Sequence, residues 1–152
     1  MKGALPYKEK EDEEERKYWE KEKQIAIKAI KEEIKRYTDG RLNNVSVCLR
    51  GNEKVLEEII WIAELSARAR GLEVIDLRKS KEILQKIIDF SKTLDYVSIG
   101  EFMHNKLFVA DLADLPKELD YYIARSHYPG IWILLCNKRD ITEDGAIRFY
   151  LK

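Results

Sequence analysis

Absences narrow the field first. The 152 residues include two cysteines, three prolines, seven glycines and two histidines. Two cysteines, Cys48 and Cys136, cannot found the disulfide framework of a small secreted domain. Each sits inside an apolar run, so both are expected to be reduced core residues of a cytosolic protein. No apolar run approaches the roughly 18 residues of a membrane span, and Met1 to Pro6 lacks the apolar core of a signal peptide. The expected location is therefore the cytoplasm. Net charge is absent too: Lys+Arg and Asp+Glu number 28 each. That excludes a histone-like cationic coat protein and a charge-driven disordered chain. Two histidines do not make a zinc site without further ligands, and no metal or other cofactor is expected. There is no Gly-x4-Gly-Lys-[Ser/Thr] phosphate cradle and no Gly-x-Ser-x-Gly elbow.

What is present is charge and alternation. Charged residues make up 37% of the chain, against a usual share of about 25%. The surplus of Lys and Glu fits the composition of a thermophile's cytoplasm. Apolar residues make up 45%, enough for one core. Residues 1–40 form a charged arm, with a helix over about 9–37 that ends at Asp39-Gly40. Its first half carries Glu13-Glu14-Glu15 and the pair Tyr18-Trp19. Its second half carries Ile27, Ile30, Ile34 and Tyr37 at helical spacing. A stretch that is polar all round projects into solvent or pairs with a partner helix.

Residues 41–152 alternate between strand and helix patterns. Strands are expected at 45–49, 72–77, 96–99, 107–110 and 131–136. Helices are expected from Asn52 to Arg70, after Ser80, and from Pro116 to about Ser126. The tail from Ile141 to Leu151 reads as a helix or an edge strand. Short units with tight links predict an α/β fold: a mixed, largely parallel sheet flanked by helices.

Three stretches carry candidate chemistry. His104-Asn105-Lys106 leads into Leu107-Phe108-Val109-Ala110 and then Asp111, a His-x-Lys-x4-Asp pattern entering a strand. Strand parity sets His104 and Lys106 on one side and Asp111 on the other, so Asp111 joins them only through a bend or from a second subunit. Asn137-Lys138-Arg139-Asp140 is similar to the guanine-reading element of GTPases; without a phosphate cradle it reads as a polar turn. Basic residues gather at Arg68, Arg70, Arg78, Lys79 and Lys81. His127 reads as a turn residue.

The His-x-Lys-x4-Asp pattern, and an apparent helix-strand-helix-strand-helix-strand order ahead of it, resemble the phospholipase D superfamily over roughly residues 25–140. The resemblance implies metal-independent phosphodiester cleavage through a phosphohistidine. His104 would be the nucleophile, Lys106 the phosphate holder and Asp111 the partner of a His. One motif per chain implies a homodimer with the site on its two-fold axis, and small single-motif members are nucleases. Arg50, Arg78 and Lys79 are then the expected phosphate or nucleic-acid contacts. The family's Gly-Ser-x-Asn element is missing from this chain. Some members are non-catalytic domains for dimerisation, ligand sensing or nucleic-acid-linked regulation, which is the alternative expectation.

Overall fold

The computed structural model describes residues 7–93, 96–117, 119, 129–139 and 146–151, with the backbone alone at 7–11, 93 and 96. The order is α1 (Tyr7–Thr38), β1 (Asn44–Gly51), α2 (Glu53–Ala69), β2 (Glu73–Asp76), α3 (Lys81–Thr93), α4 (Tyr96–Met103), β3 (Lys106–Asp111), a 3₁₀ turn (Leu112–Asp114), β4 (Gly130–Leu135) and β5 (Ile147–Leu151). The sheet order is β2-β3-β4-β1-β5, and every described pairing is parallel. The α/β fold expected from the alternation is the fold observed.

Side chains alternate between two apolar layers, as strand geometry requires. Val45, Val47, Leu49, Leu107, Val109, Ile131 and Ile133 face α1 and α2, which bring Ile27, Ile30, Ile34, Leu56, Ile59, Ile60 and Ala63. Phe108, Trp132 and Leu134 face the other way, onto Ile87 of α3, Ile99 and Met103 of α4, and Leu112, Leu115 and Leu119. Coverage on both faces explains the unbroken apolar runs 107–110 of β3 and 131–135 of β4. Phe108 stacks on Trp132 with ring centroids 4.6 Å apart.

Two readings change. Tyr96-Val97-Ser98-Ile99 is not a strand; it opens α4. A short apolar run cannot announce its own period, and here Ile99 and Met103, four residues apart, are the pair buried on one helical face. The order ahead of His104 is thus helix-strand-helix-strand-helix-helix, not the order on which the family resemblance drew. Cys48 and Cys136 are not reduced; Cys48 of β1 and Cys136, the residue after the neighbouring β4, are joined as a disulfide with Cα atoms 6.2 Å apart. Of the two alternatives for the tail, the edge strand is the one found, as β5 beside β1 over Ile147–Leu151. The helix expected from Pro116 to Ser126 falls largely outside the described residues, as do His127 and Asp140.

Glycine is required at the start of β4. Gly130 has φ +98, and an added Cβ would lie 2.6 Å from the Met103 carbonyl oxygen. The turn after α4 and the first residue of β4 touch backbone to backbone there.

Helices α1 and α2 lie side by side and run the same way. Lys23 of α1 donates to Glu58 of α2 at 2.8 Å, and Arg70 just past α2 donates to Thr38 at the end of α1 at 3.2 Å. Since α2 begins at Glu53, the residues of α1 before about Tyr18 extend past the start of α2. That leaves roughly 17 Å of helix projecting beyond the carboxyl ends of the strands.

Candidate functional site

From β1 the chain crosses through α2 toward β2 at one edge of the sheet. From β4 it passes to β5 on the far side of β1. Connections leaving neighbouring strands in opposite directions open a crevice at their carboxyl ends, where sheets of this class take ligands. Here that crevice is a cleft of about 300 Å³ lined by Glu53, Lys54, Glu57, Arg78, Asp111, Leu135, Asn137 and Lys138.

Its polar groups are satisfied largely by one another. Arg78 meets Asp76 two-pronged, Nε to Oδ1 at 3.0 Å and a terminal nitrogen to Oδ2 at 2.8 Å, and also donates to Glu57. The hydrogen bonds from Arg78 to Asp76 raise the guanidinium's already high basicity further. Asp111 pairs with Lys138 at 3.5 Å, and its Oδ1 accepts the Ala113 N–H at 3.1 Å. Asn137 straps β4 to β1: its Oδ1 accepts from Gly51 N at 2.8 Å and its Nδ2 donates to Gly51 O at 2.9 Å. Arg50 donates twice to the Cys136 carbonyl, at 2.9 and 2.7 Å, and lies 5.9 Å from the Tyr150 ring centroid.

The first turn of α2 points into this crevice, yet it is not a phosphate cradle. Asn52 Oδ1 accepts from Lys54 N and Val55 N at 2.9 and 3.2 Å. The donors a phosphate would use are already capped, and Glu53 and Glu57 set carboxylates beside them.

The His-x-Lys-x4-Asp residues divide between the two ends of the sheet. His104 follows α4 in a turn, exposed, with its backbone N–H donating to Gly100 O at 3.0 Å. It does not share a strand with Lys106, so the parity argument does not apply to it. Lys106 opens β3; its Nζ donates to Phe102 O at 2.5 Å, lies 3.9 Å from Glu73 and sits 5.2 Å from the Phe102 ring centroid. Asp111 ends β3 five residues on, roughly 17 Å away along the strand. Of the expected phosphate contacts, Arg50 and Arg78 are engaged as described, and Lys79 is exposed, its backbone N–H donating to Asp76 O at 3.0 Å.

His104 instead lines a second, polar hollow at the amino ends of the strands. It is about 360 Å³, with Tyr37, Thr38, Asn43, Arg70 and Asn105 in its wall. Asn105 takes φ +59, a left-handed conformation that Asn tolerates, and its N–H donates to Tyr37 Oη at 2.9 Å. The residues that sequence reasoning missed are Asn137, as the strap between β1 and β4, and the hollow around Arg70 and Asn105. A polar turn after an apolar strand was the only signal of the first.

No helix among the described residues is long and apolar enough to cross a membrane, and among those residues no group of three metal-ligating side chains converges. Comparison with known family models, curated proteins and solved structures finds no match to this chain.

Proposed function

We propose that this chain is a non-catalytic α/β module that works by holding a partner, in the class of dimerising or ligand-sensing regulatory domains. The observation that carries the reading is the division of the candidate triad. Lys106 and Asp111 stand at opposite ends of β3, and the Lys106 ammonium is engaged by Phe102 O. Phosphoryl transfer needs nucleophile, charge holder and orienting carboxylate around one phosphorus atom. Within one chain these three do not converge. In this reading the exposed Lys79 is the contact offered to nucleic acid.

One observation favours the phospholipase D-like alternative. His104 is exposed on a polar hollow beside Arg70 and Asn105, open to a carboxylate from a second subunit. That reading is a homodimeric, metal-independent phosphodiesterase or nuclease, with His104, Lys106 and the partner's Asp111 at each site.

Hydrolysis of bis(p-nitrophenyl) phosphate in excess EDTA separates the two. The binding-module reading expects no turnover above background, and the same baseline for His104→Ala. Turnover that His104→Ala abolishes would overturn it. If Asp111→Asn also abolished that turnover, and a mixture of the two variants restored part of it, the shared-site enzyme would stand in its place.

A further inference from the structure

Charge is sorted along α1. Its projecting half carries Asp12, Glu13, Glu14 and Glu15 without a break. Glu13 is drawn toward Arg16 and Lys17, at 3.6 and 3.9 Å, while Asp12, Glu14 and Glu15 are exposed. At the other end α1 finishes in Lys35 and Arg36, and α2 finishes in Arg68.

Cations in the last turn of a helix complement its dipole, and that accounts for Lys35, Arg36 and Arg68. It does not account for Arg41 and Arg70, which lie past the helix ends and are exposed. Arg70 lines the polar hollow with Asn43, His104 and Asn105. Asp39 stands 3.8 Å from Arg70 and offsets only part of this charge. Arg70 is the one cation in the hollow's described lining, and Arg41 stands between its lining residues Gly40 and Leu42; beside the neutral donors Asn43 and Asn105 the two arginines make a setting for carboxylates.

The acidic run cannot reach the hollow of its own chain. Glu14 and Thr38 are 24 residues apart on one straight element, roughly 36 Å at helical rise. A second copy can supply what the first cannot deliver to itself. We propose that the acidic arm of one copy docks on the basic hollow of the next, head to tail. The chain's zero net charge leaves no overall repulsion between copies to oppose this. Such an interface joins two different patches, so assembly continues as an open string or closes as a ring. Its attraction is between exposed charges, so it weakens as the Debye length falls from about 10 Å at 0.1 M salt to about 3 Å at 1 M. This names a partner for the binding module proposed above and rests on that reading; the phosphodiester assay tests that reading by a separate readout.

Sedimentation velocity of the full chain tests the inference, in about 20 mM and about 500 mM salt. Species larger than a monomer, growing with concentration, are expected at low salt and monomers at high salt. Two variants are compared at low salt with circular dichroism as the folding control: Glu13→Lys/Glu14→Lys/Glu15→Lys, and Arg41→Glu/Arg70→Glu. Each alone is expected to sediment as a monomer. Mixed, they are expected to associate again, because each reversed patch then meets a complementary one; no purely structural effect restores that. A wild type that stays monomeric at low salt would overturn the proposal, as would association that survives both reversals.

Discussion

The inner half of α1 buries Ala26, Ile27, Ile30, Ile34 and Tyr37 against the sheet and α2. The outer half, on the same unbroken helix, exposes Tyr18 and a succession of acids and bases. Packing holds the first. The second is supported by short-range pairs on its own surface: Arg16 and Lys17 with Glu13, Trp19 Nε1 to Glu15 at 3.4 Å, and Gln24 to Glu20 at 3.2 Å. Such pairs add only a few tenths of a kcal/mol each. One half therefore secures the domain, while the other is free to meet something else.

The sharpest test of that contrast is truncation. Ile34→Ala removes a side chain that is 1% exposed and is expected to cost about 3 kcal/mol in urea unfolding. Tyr18→Ala, at the exposed point where α1 passes the start of α2, is expected to cost less than about 0.5 kcal/mol. Equal losses at the two positions would mean the outer half is packed against the domain after all.

Charge pairs extend the same contrast to the crevice. Arg78 and Asp76 have side chains only 21% and 10% exposed, so removing the cation leaves a largely buried carboxylate unpaired. Arg78→Ala is expected to cost about 2 kcal/mol, discounted from a fully buried pair for the remaining solvent. Arg16→Ala, whose side chain is 77% exposed, is expected to leave the urea midpoint where it is.

The smallest effects differ in sign. Burial raises the carboxyl of Glu64, whose side chain is 15% exposed. A proton held more tightly in the folded state stabilises the fold below the unfolded value of about 4.3, and that contribution is lost as pH rises through the raised value. Glu64→Gln cannot ionise, so it gains on the wild type between about pH 4 and pH 7, by about 0.5 kcal/mol or less. Glu20 behaves oppositely, because hydrogen bonds from Lys23 and then Gln24 lower its carboxyl. Its ionised form favours the fold, so Glu20→Gln loses on the wild type over the same range. Melting temperatures across that range for both variants would show the crossing trends. Parallel trends would remove the distinction between a largely buried carboxylate on α2 and an exposed one on α1.

Much of the architecture was legible in the sequence, because short-range physics writes it. The 3.6-residue spacing of Ile27, Ile30, Ile34 and Tyr37 required a helix, and α1 ends one residue past the expected 37. Asn52 reads as a cap and is one, and Gly71 closes α2 with φ +83. The continuous apolar runs 107–110 and 131–136 read as covered strands, and both lie inside the sheet. Tyr96-Val97-Ser98-Ile99 failed because four residues are too few to separate a period of two from one of 3.6. Tertiary burial of Ile99 and Met103 decided it.

The candidate site was far less legible. His104, Lys106 and Asp111 are neighbours in sequence, but a strand holds its ends apart, and β3 sends Lys106 and Asp111 to opposite edges of the domain. Conversely Arg50 meets Cys136, and Gly51 meets Asn137, 86 residues away in each case, only because the sheet runs β2-β3-β4-β1-β5. The link between Cys48 and Cys136, 88 residues apart, has the same origin. By itself the sequence determined the elements, their caps and their apolar faces, since each depends on a few residues in local register. Only the tertiary structure decided which strand ends stand together, which charges are already paired, and which half of α1 is left facing outward. Those outcomes come from the summed packing of both apolar layers, and no local stretch contains that sum.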